Sequence, residues 1–380
     1  MRAFGPARAH AGTALRRFAE AVAAALLLAH GLSAAAPDAA PFLFTSIRND
    51  GMQIFLGRPE GGEPLQLTRT AGGNDHPRWS PDARQVAFVS YRDGNPEIYL
   101  MEADGSNQRP LTRHPALDAG PAWSPDGRRI AFISTRSKLP QVWVMNADGG
   151  EPRALAPTPG EQAGVQWSPD GTRLAFLAVS NRKADVMVVQ VDGSRLINLT
   201  AASKPSNSGV SWSPDGKRLV FTRFMGDTVS DIVTVAADGD DLVNLTNSKS
   251  FLNTQAHWSP DGRRIAFLST RDHPEGTRAN LFVMNADGSQ PRNVAGEPEI
   301  ENMGPAWSDD GRRLFYVAVP WGSSQILSVR SDGSDRQLLS RGKAFDLDPQ
   351  PHFLRGRAPL QTAALQPPTE PTSTQAKGKP

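Results

Sequence analysis

The sequence predicts an all-β fold, a seven-bladed β-propeller of four-stranded antiparallel blades, with N- and C-terminal strands closing the ring in one blade. Three observations predict it. The motif W-S-P-D-[GA] begins at Trp79, Trp123, Trp167, Trp212 and Trp258, and WSDDG begins at Trp307, with spacings of 44, 44, 45, 46 and 49 residues. A repeat of about 40–45 residues built from short strands is that of a propeller blade. Asp-Gly pairs recur once per repeat, from Asp104-Gly105 to Asp332-Gly333, where a tight hairpin turn fits. Finally, the two ends hold complementary fragments. Residues 42–68 read as strands two, three and four of a unit, and DPQPHF (348–353) reads as a first strand with nothing after it.

Within each repeat the elements follow in order. The first strand ends at the Trp, as in GPAW (120–123). S-P-D-G is a turn: Pro presets φ, Asp bonds the backbone ahead, and Gly takes the tight position. The second strand alternates, as in RRIAFIS (128–134), and the third is of the type QVWVMN (141–146). The fourth is short: RPLT (109–112), INLT (197–200) or VNLT (243–246). Asn198 and Asn244 match a glycosylation sequon, but both belong to this fourth-strand motif and read as structural. Six of the eight tryptophans lie in the motif. Trp79, Trp123, Trp167, Trp212, Trp258 and Trp307 are expected to be core wedges, one per blade. Phe353 is expected to take that place in the closing blade, with Pro351 matching Pro77, Pro121 and Pro305.

The flanks differ in kind. Residues 1–36 place four arginines before an apolar run, Ala21–Ala29, followed by small residues. That is the order of a cleaved secretory signal, and a run of about 9–14 apolar residues is too short to span a bilayer. The expected location is therefore the periplasm or the exterior. Removing this segment takes away four arginines and one glutamate, so the formal charge of +2 becomes −1. The basic balance thus carries no indication of nucleic acid. Residues 37–355 are assigned to the propeller. Residues 356–380 are rich in Pro, Thr, Gln and Lys, a composition expected to be disordered.

Catalytic signatures are scarce. The chain has no cysteine, which excludes disulfides, thiolate metal sites and a cysteine nucleophile. His76, His114, His257, His273 and His352 form no metal-type pair. There is no G-x-S-x-G, and no glycine-rich loop opens a helix. One pattern stands out five residues before each Trp or Phe353: Asn74, Asp118, Gln162, Asn207, Asn253, Asn302 and Asp348. These side chains either bond the local backbone where each first strand begins or form a polar ring at one channel mouth. In the second case Asp118 and Asp348 are candidates for a channel-bound divalent cation; otherwise no cofactor is expected. Loops between strands two and three carry Arg48, Arg92, Arg136, Arg182, Arg223 and Arg271 toward the same mouth, with Trp321 in the sixth full repeat. Arginine with tryptophan is typical of interface hot spots, and such a rim suits an acidic or carboxylate-bearing segment.

WSPDG followed by an alternating strand, a D-G hairpin and L-T resembles the propeller repeat of the TolB family. The resemblance covers about residues 42–354. It implies a periplasmic, non-enzymatic scaffold whose propeller face receives an envelope protein or peptide segment. Two departures are expected: seven blades against six in that family's namesake, and no α/β domain ahead of the propeller. The same repeat also occurs in propellers of prolyl-oligopeptidase-like peptidases and of some polysaccharide lyases. No α/β-hydrolase domain follows residue 354, so a peptidase is not expected. The alternative is a propeller-type lyase or hydrolase, or an oligosaccharide-binding module, with a metal at the channel mouth. An accessory subunit of a separately encoded enzyme is a third reading. The expected assembly is a single monomeric propeller without a membrane span or nucleic-acid partner.

Overall fold

The computed structural model describes residues 41–48, 51–59, 61–202, 205–273, 278–296, 300–320, 322–340 and 344–351. The expected signal segment 1–36, the tail 356–380, Phe353 and Trp321 lie outside the described residues. The strands form seven four-stranded antiparallel sheets. The first blade runs outward from Phe345–Pro351 through Phe42–Arg48 and Gly51–Gly57 to Leu65–Gln66. The second comprises Asn74–Trp79, Gln85–Ser90, Glu97–Glu102 and Arg109–Pro110, and five more repeat this order. The chain ends therefore share one blade, as the sequence predicts.

The register of the closing strand differs from the expectation by two residues. Asp346 pairs with Ser46 as Asn74 pairs with Ser90. Pro351 pairs with Phe42 as Trp79 pairs with Val86. The strand-opening position thus belongs to Asp346 rather than Asp348, and the Trp position belongs to Pro351 rather than Phe353. Pro349, not Pro351, matches Pro77, Pro121 and Pro305. A slip of two preserves the alternation of faces, so the hydrophobic pattern does not reveal it.

The motif acts between blades as well as within them. The indole N–H of Trp123 donates to the Arg78 carbonyl of the preceding blade at 3.1 Å. Trp167 does so to Ala122 at 2.9 Å, Trp212 to Gln166 at 3.3 Å and Trp307 to His257 at 3.1 Å. Arginines from the preceding blade cover these rings: Arg129 lies 5.3 Å from the Trp167 centroid, Arg173 4.9 Å from Trp212 and Arg264 5.1 Å from Trp307. Each turn is held by its serine, whose hydroxyl donates to the Asp carboxylate, at 2.6 Å for Ser124 and Asp126. Gly127 has φ +70°, and a Cβ there would stand 3.7 Å from Pro81 in the preceding turn. Its glycine therefore answers to a left-handed turn and to the neighbouring blade together. At the hairpin, Gly149 has φ +95°, and a Cβ would meet the Leu111 carbonyl at 2.6 Å.

Hydrophobic clusters fill the gaps between blades. One joins Val142 and Val144 to Trp167, Leu174 and Phe176. Where the closing blade lacks a Trp, Phe42, Phe44 and Phe55 pack with Phe315, Val317 and Ile326 of the seventh blade. The Phe42 and Phe315 centroids are 5.4 Å apart.

Trp167 is buried and both packs and donates across its interface. Trp167→Ala is expected to lower the unfolding free energy by about 3–5 kcal/mol. Exposed Arg128→Ala is expected to stay within about 0.5 kcal/mol of the parent. Urea denaturation followed by fluorescence checks both.

Candidate functional site

Because strands alternate in direction, each blade sends two kinds of connection to one face: the entry to its first strand and the loop between its second and third. The S-P-D-G and D-G turns lie at the opposite face. The sequence-predicted site residues therefore gather at the entry face, but most are built into its walls.

The amide and acid positions are buried. Asn74, Asp118, Gln162, Asn207, Asn253, Asn302 and Asp346 are 0–2% exposed, so they do not form a solvent-facing ring. Asn74, Gln162, Asn207, Asn253 and Asn302 clasp the preceding blade. Gln162 accepts from Val142 N–H at 2.7 Å and Asn302 from Leu281 N–H at 3.1 Å. Asn207 donates to the Ala184 carbonyl at 2.9 Å and Asn253 to the Ser230 carbonyl at 3.0 Å. Asp118 is paired with Arg136 at 2.6 Å, and Asp348 with Arg78 at 2.8 Å. Both carboxylates that are candidates for a cation thus already face a guanidinium. Among the described residues no group of three or more His, Asp or Glu is placed to hold a metal ion.

The arginines divide. Arg48, Arg92, Arg136 and Arg271 are half-buried. Arg48 lies 4.2 Å from the Phe55 centroid, Arg92 4.3 Å from Tyr99, Arg136 5.1 Å from Trp143 and Arg271 4.7 Å from Phe282. Three also bond the serine two residues back: Arg48 to Ser46 at 3.1 Å, Arg92 to Ser90 at 2.7 Å and Arg271 to Ser269 at 3.0 Å. The S-x-R spacing at the end of the second strand is thus a stacking signal that the sequence contains. Burial pushes the Arg92 and Arg271 guanidinium pKa values down. Arg48, Arg136 and Arg223 are strand residues, not loop residues, with Arg223 paired to Asn207. Arg182 is exposed. With Asn181 it forms a two-residue hairpin between Ser180 and Lys183, at φ 49° and 62°, as in a type I′ turn.

Large apolar side chains also face solvent here. Ile47, Leu117, Leu139, Met225, Met303 and Phe345 are 38–58% exposed and ring the entry face. Composition conceals them, because all but Met303 sit at or just beyond a strand end, where alternation no longer applies.

The channel wall has its own pattern. A bulge three residues before each Trp position puts one residue at positive φ. Four blades use Gly120, Gly164, Gly209 and Gly304; three use His76 (49°), Gln255 (52°) and Asp348 (53°). Strain of this kind costs of order 1 kcal/mol per residue. His76 Nδ1 lies 3.0 Å from Asp75, and the Tyr91 hydroxyl donates to Asp75 at 3.2 Å. Asp348 also accepts from Gln350 at 2.8 Å. The first and second blades therefore meet in a charged cluster of Asp75, His76, Arg78 and Asp348.

A TolB beta propeller domain model matches residues 32–203 and 161–353. The chain belongs to the TolB β-propeller family. No curated protein matches the sequence. TolB from Acinetobacter baumannii is a similar solved structure, at 18% identity and a TM-score of 0.54, covering 88% of this chain and 70% of that one. An oligogalacturonate lyase in complex with manganese shares 15% identity at a TM-score of 0.60, over 74% of this chain and 84% of that one. A puromycin-hydrolyzing peptidase from Mycobacterium tuberculosis shares 16% at 0.61, over 79% of this chain and 53% of the peptidase. These three proteins share the propeller fold with this chain across different chemistries.

The charged cluster makes stability depend on pH. The hydrogen bond to Asp75 raises the His76 pKa, outweighing burial. Protonated His76 therefore stabilises the fold fully below about pH 6.5, and that contribution fades as pH rises through the higher folded value. For Asp348, burial acts upward, but Arg78 and His76 bring its pKa below the usual carboxylate range. Its contribution is present above about pH 3.9 and is lost as pH falls through the folded value. His76→Asn is expected to flatten the urea midpoint between about pH 6 and 8, and Asp348→Asn to flatten it below about pH 4.

Proposed function

We propose that this chain is an exported, non-enzymatic scaffold that captures an envelope protein or peptide segment on its entry face. The observation that supports this reading most is the distribution of exposed apolar side chains. Of ten large hydrophobics exposed among the described residues, Ile47, Leu117, Leu139, Met225, Met303 and Phe345 surround this face. Apolar groups set among arginines suit a segment with aliphatic anchors and acidic flanks. Arg182 supplies an exposed guanidinium; Arg48, Arg92 and Arg271 supply the solvent edges of stacked ones. Trp321 completes the proposed contact set. The resemblance to the TolB family, whose propeller face receives partner segments, agrees with this role and with a periplasmic location.

Arg136 is better kept out of the test, because removing it leaves the buried Asp118 unpaired at a cost of about 3–5 kcal/mol. Leu139→Asp with Met225→Asp is expected to weaken capture from envelope extract at least about tenfold while leaving circular dichroism unchanged. Capture equal to that of the parent would remove this face as the docking surface.

A second reading has one specific observation in its favour. The channel cluster of His76, Arg78 and Asp348 faces a glycine-lined wall in a fold shared with oligogalacturonate lyase. It predicts that an oligogalacturonate raises the melting temperature, and that His76→Asn abolishes the shift.

A further inference from the structure

The remaining four exposed large hydrophobics lie on the outer rim of two neighbouring blades. They are Leu196 (40%) and Ile197 (36%) in the fourth blade, and Leu242 (41%) and Val243 (39%) in the fifth. Both pairs occupy the same place, just after the D-G hairpin and at the start of the outermost strand. In three other blades the position of Ile197 and Val243 holds an arginine that crosses to the next blade. Arg109 reaches the Asp148 carbonyl at 3.4 Å, Arg153 that of Val191 at 2.6 Å and Arg292 that of Ser331 at 2.7 Å. The fourth and fifth blades replace this latch with bare aliphatic side chains on the short outermost strands.

The charges beside the two pairs are opposite. Arg195 precedes Leu196, whereas Asp240 and Asp241 precede Leu242. All three are exposed. Among the described residues Arg195 and Asp240 have no oppositely charged partner, while Asp241 pairs with Arg218 at 2.6 Å. We propose that this rim is the interface of a two-fold dimer, in which the fourth blade of one copy lies against the fifth blade of a second copy of this chain. A two-fold axis parallel to the channel and just outside the rim brings these blades together with their hairpin ends level. Leu196 and Ile197 then meet Leu242 and Val243 of the second copy, and Arg195 meets its Asp240. The operation repeats both contacts, so one patch is complementary to itself. The entry face and channel of each copy remain open. The proposal replaces the monomer expected from the repeats and does not depend on what the entry face binds.

Sedimentation equilibrium of the purified protein tests it. The expected result is a monomer–dimer equilibrium whose dissociation constant rises at least about tenfold in the Ile197→Asp, Val243→Asp double variant. Asp240→Arg alone is expected to weaken the dimer, and adding Arg195→Asp in the same chain is expected to restore it. All four positions are exposed, so circular dichroism should not change. A monomer at all concentrations up to about 200 µM overturns the proposal. So does a dimer indifferent to the aliphatic substitutions.

Discussion

The pairing of Phe42–Arg48 with Phe345–Pro351 is the constraint on which the rest of the structure depends. Six full repeats make six sheets, and each buries one face against the next. Without a closing sheet, the apolar sides of the second and seventh blades would stand open. One strand from the C-terminal side and three from the N-terminal side complete the missing sheet and the circle. Closure also sorts the connections into two faces, and the entry face and channel owe their existence to that sorting.

The seam is built differently from the other junctions. Elsewhere a tryptophan lies between blades, at four junctions donates to the preceding blade, and at three is covered by an arginine. The closing blade has Pro351 in that position, which offers neither a large ring nor a donor. On one side of the seam, Phe42, Phe44 and Phe55 supply the missing apolar volume against Phe315. On the other, Arg78 and Asp348 join the second and first blades through an ion pair within the channel cluster. The closing junction therefore trades the indole for aromatic packing plus charge. The bulge that turns Asp348 into the channel at φ 53° sets up that pair.

The fold was legible because each requirement of the blade leaves a local mark: Trp for the wedge, Pro and Gly for neighbouring turns, Asp-Gly for the hairpin. The fourth-strand Thr is a further mark. Thr200 and Asn198 both bond Asp185, and Thr246 and Asn244 both bond Asp231, which accounts for the sequon-like NLT. The site was less legible. The amide and acid positions were correctly grouped by spacing, except that Asp346 stood two residues from the expected Asp348. Spacing does not tell whether a polar side chain turns to the channel or to the neighbouring blade, and the five amides turned to the blade. The arginines were found by sequence, but their stacking on Phe55, Tyr99, Trp143 and Phe282 depends on cross-strand neighbours. The rim patch was hidden because Leu-Ile and Leu-Val look like strand interior until the strand proves to be an edge.

The most direct test of closure uses the absence of native cysteine. Ile47 and Phe345 are cross-strand partners at the seam, and both are exposed. Paired residues in an antiparallel ladder have Cα atoms about 4.5–5.5 Å apart, within the range of a disulfide. In the Ile47→Cys, Phe345→Cys variant, mild oxidation of the folded protein is predicted to join the two thiols within one chain. The counted free thiols should fall from two to zero. Two thiols that stay free in the folded, oxidised protein would contradict a ring closed by these strands.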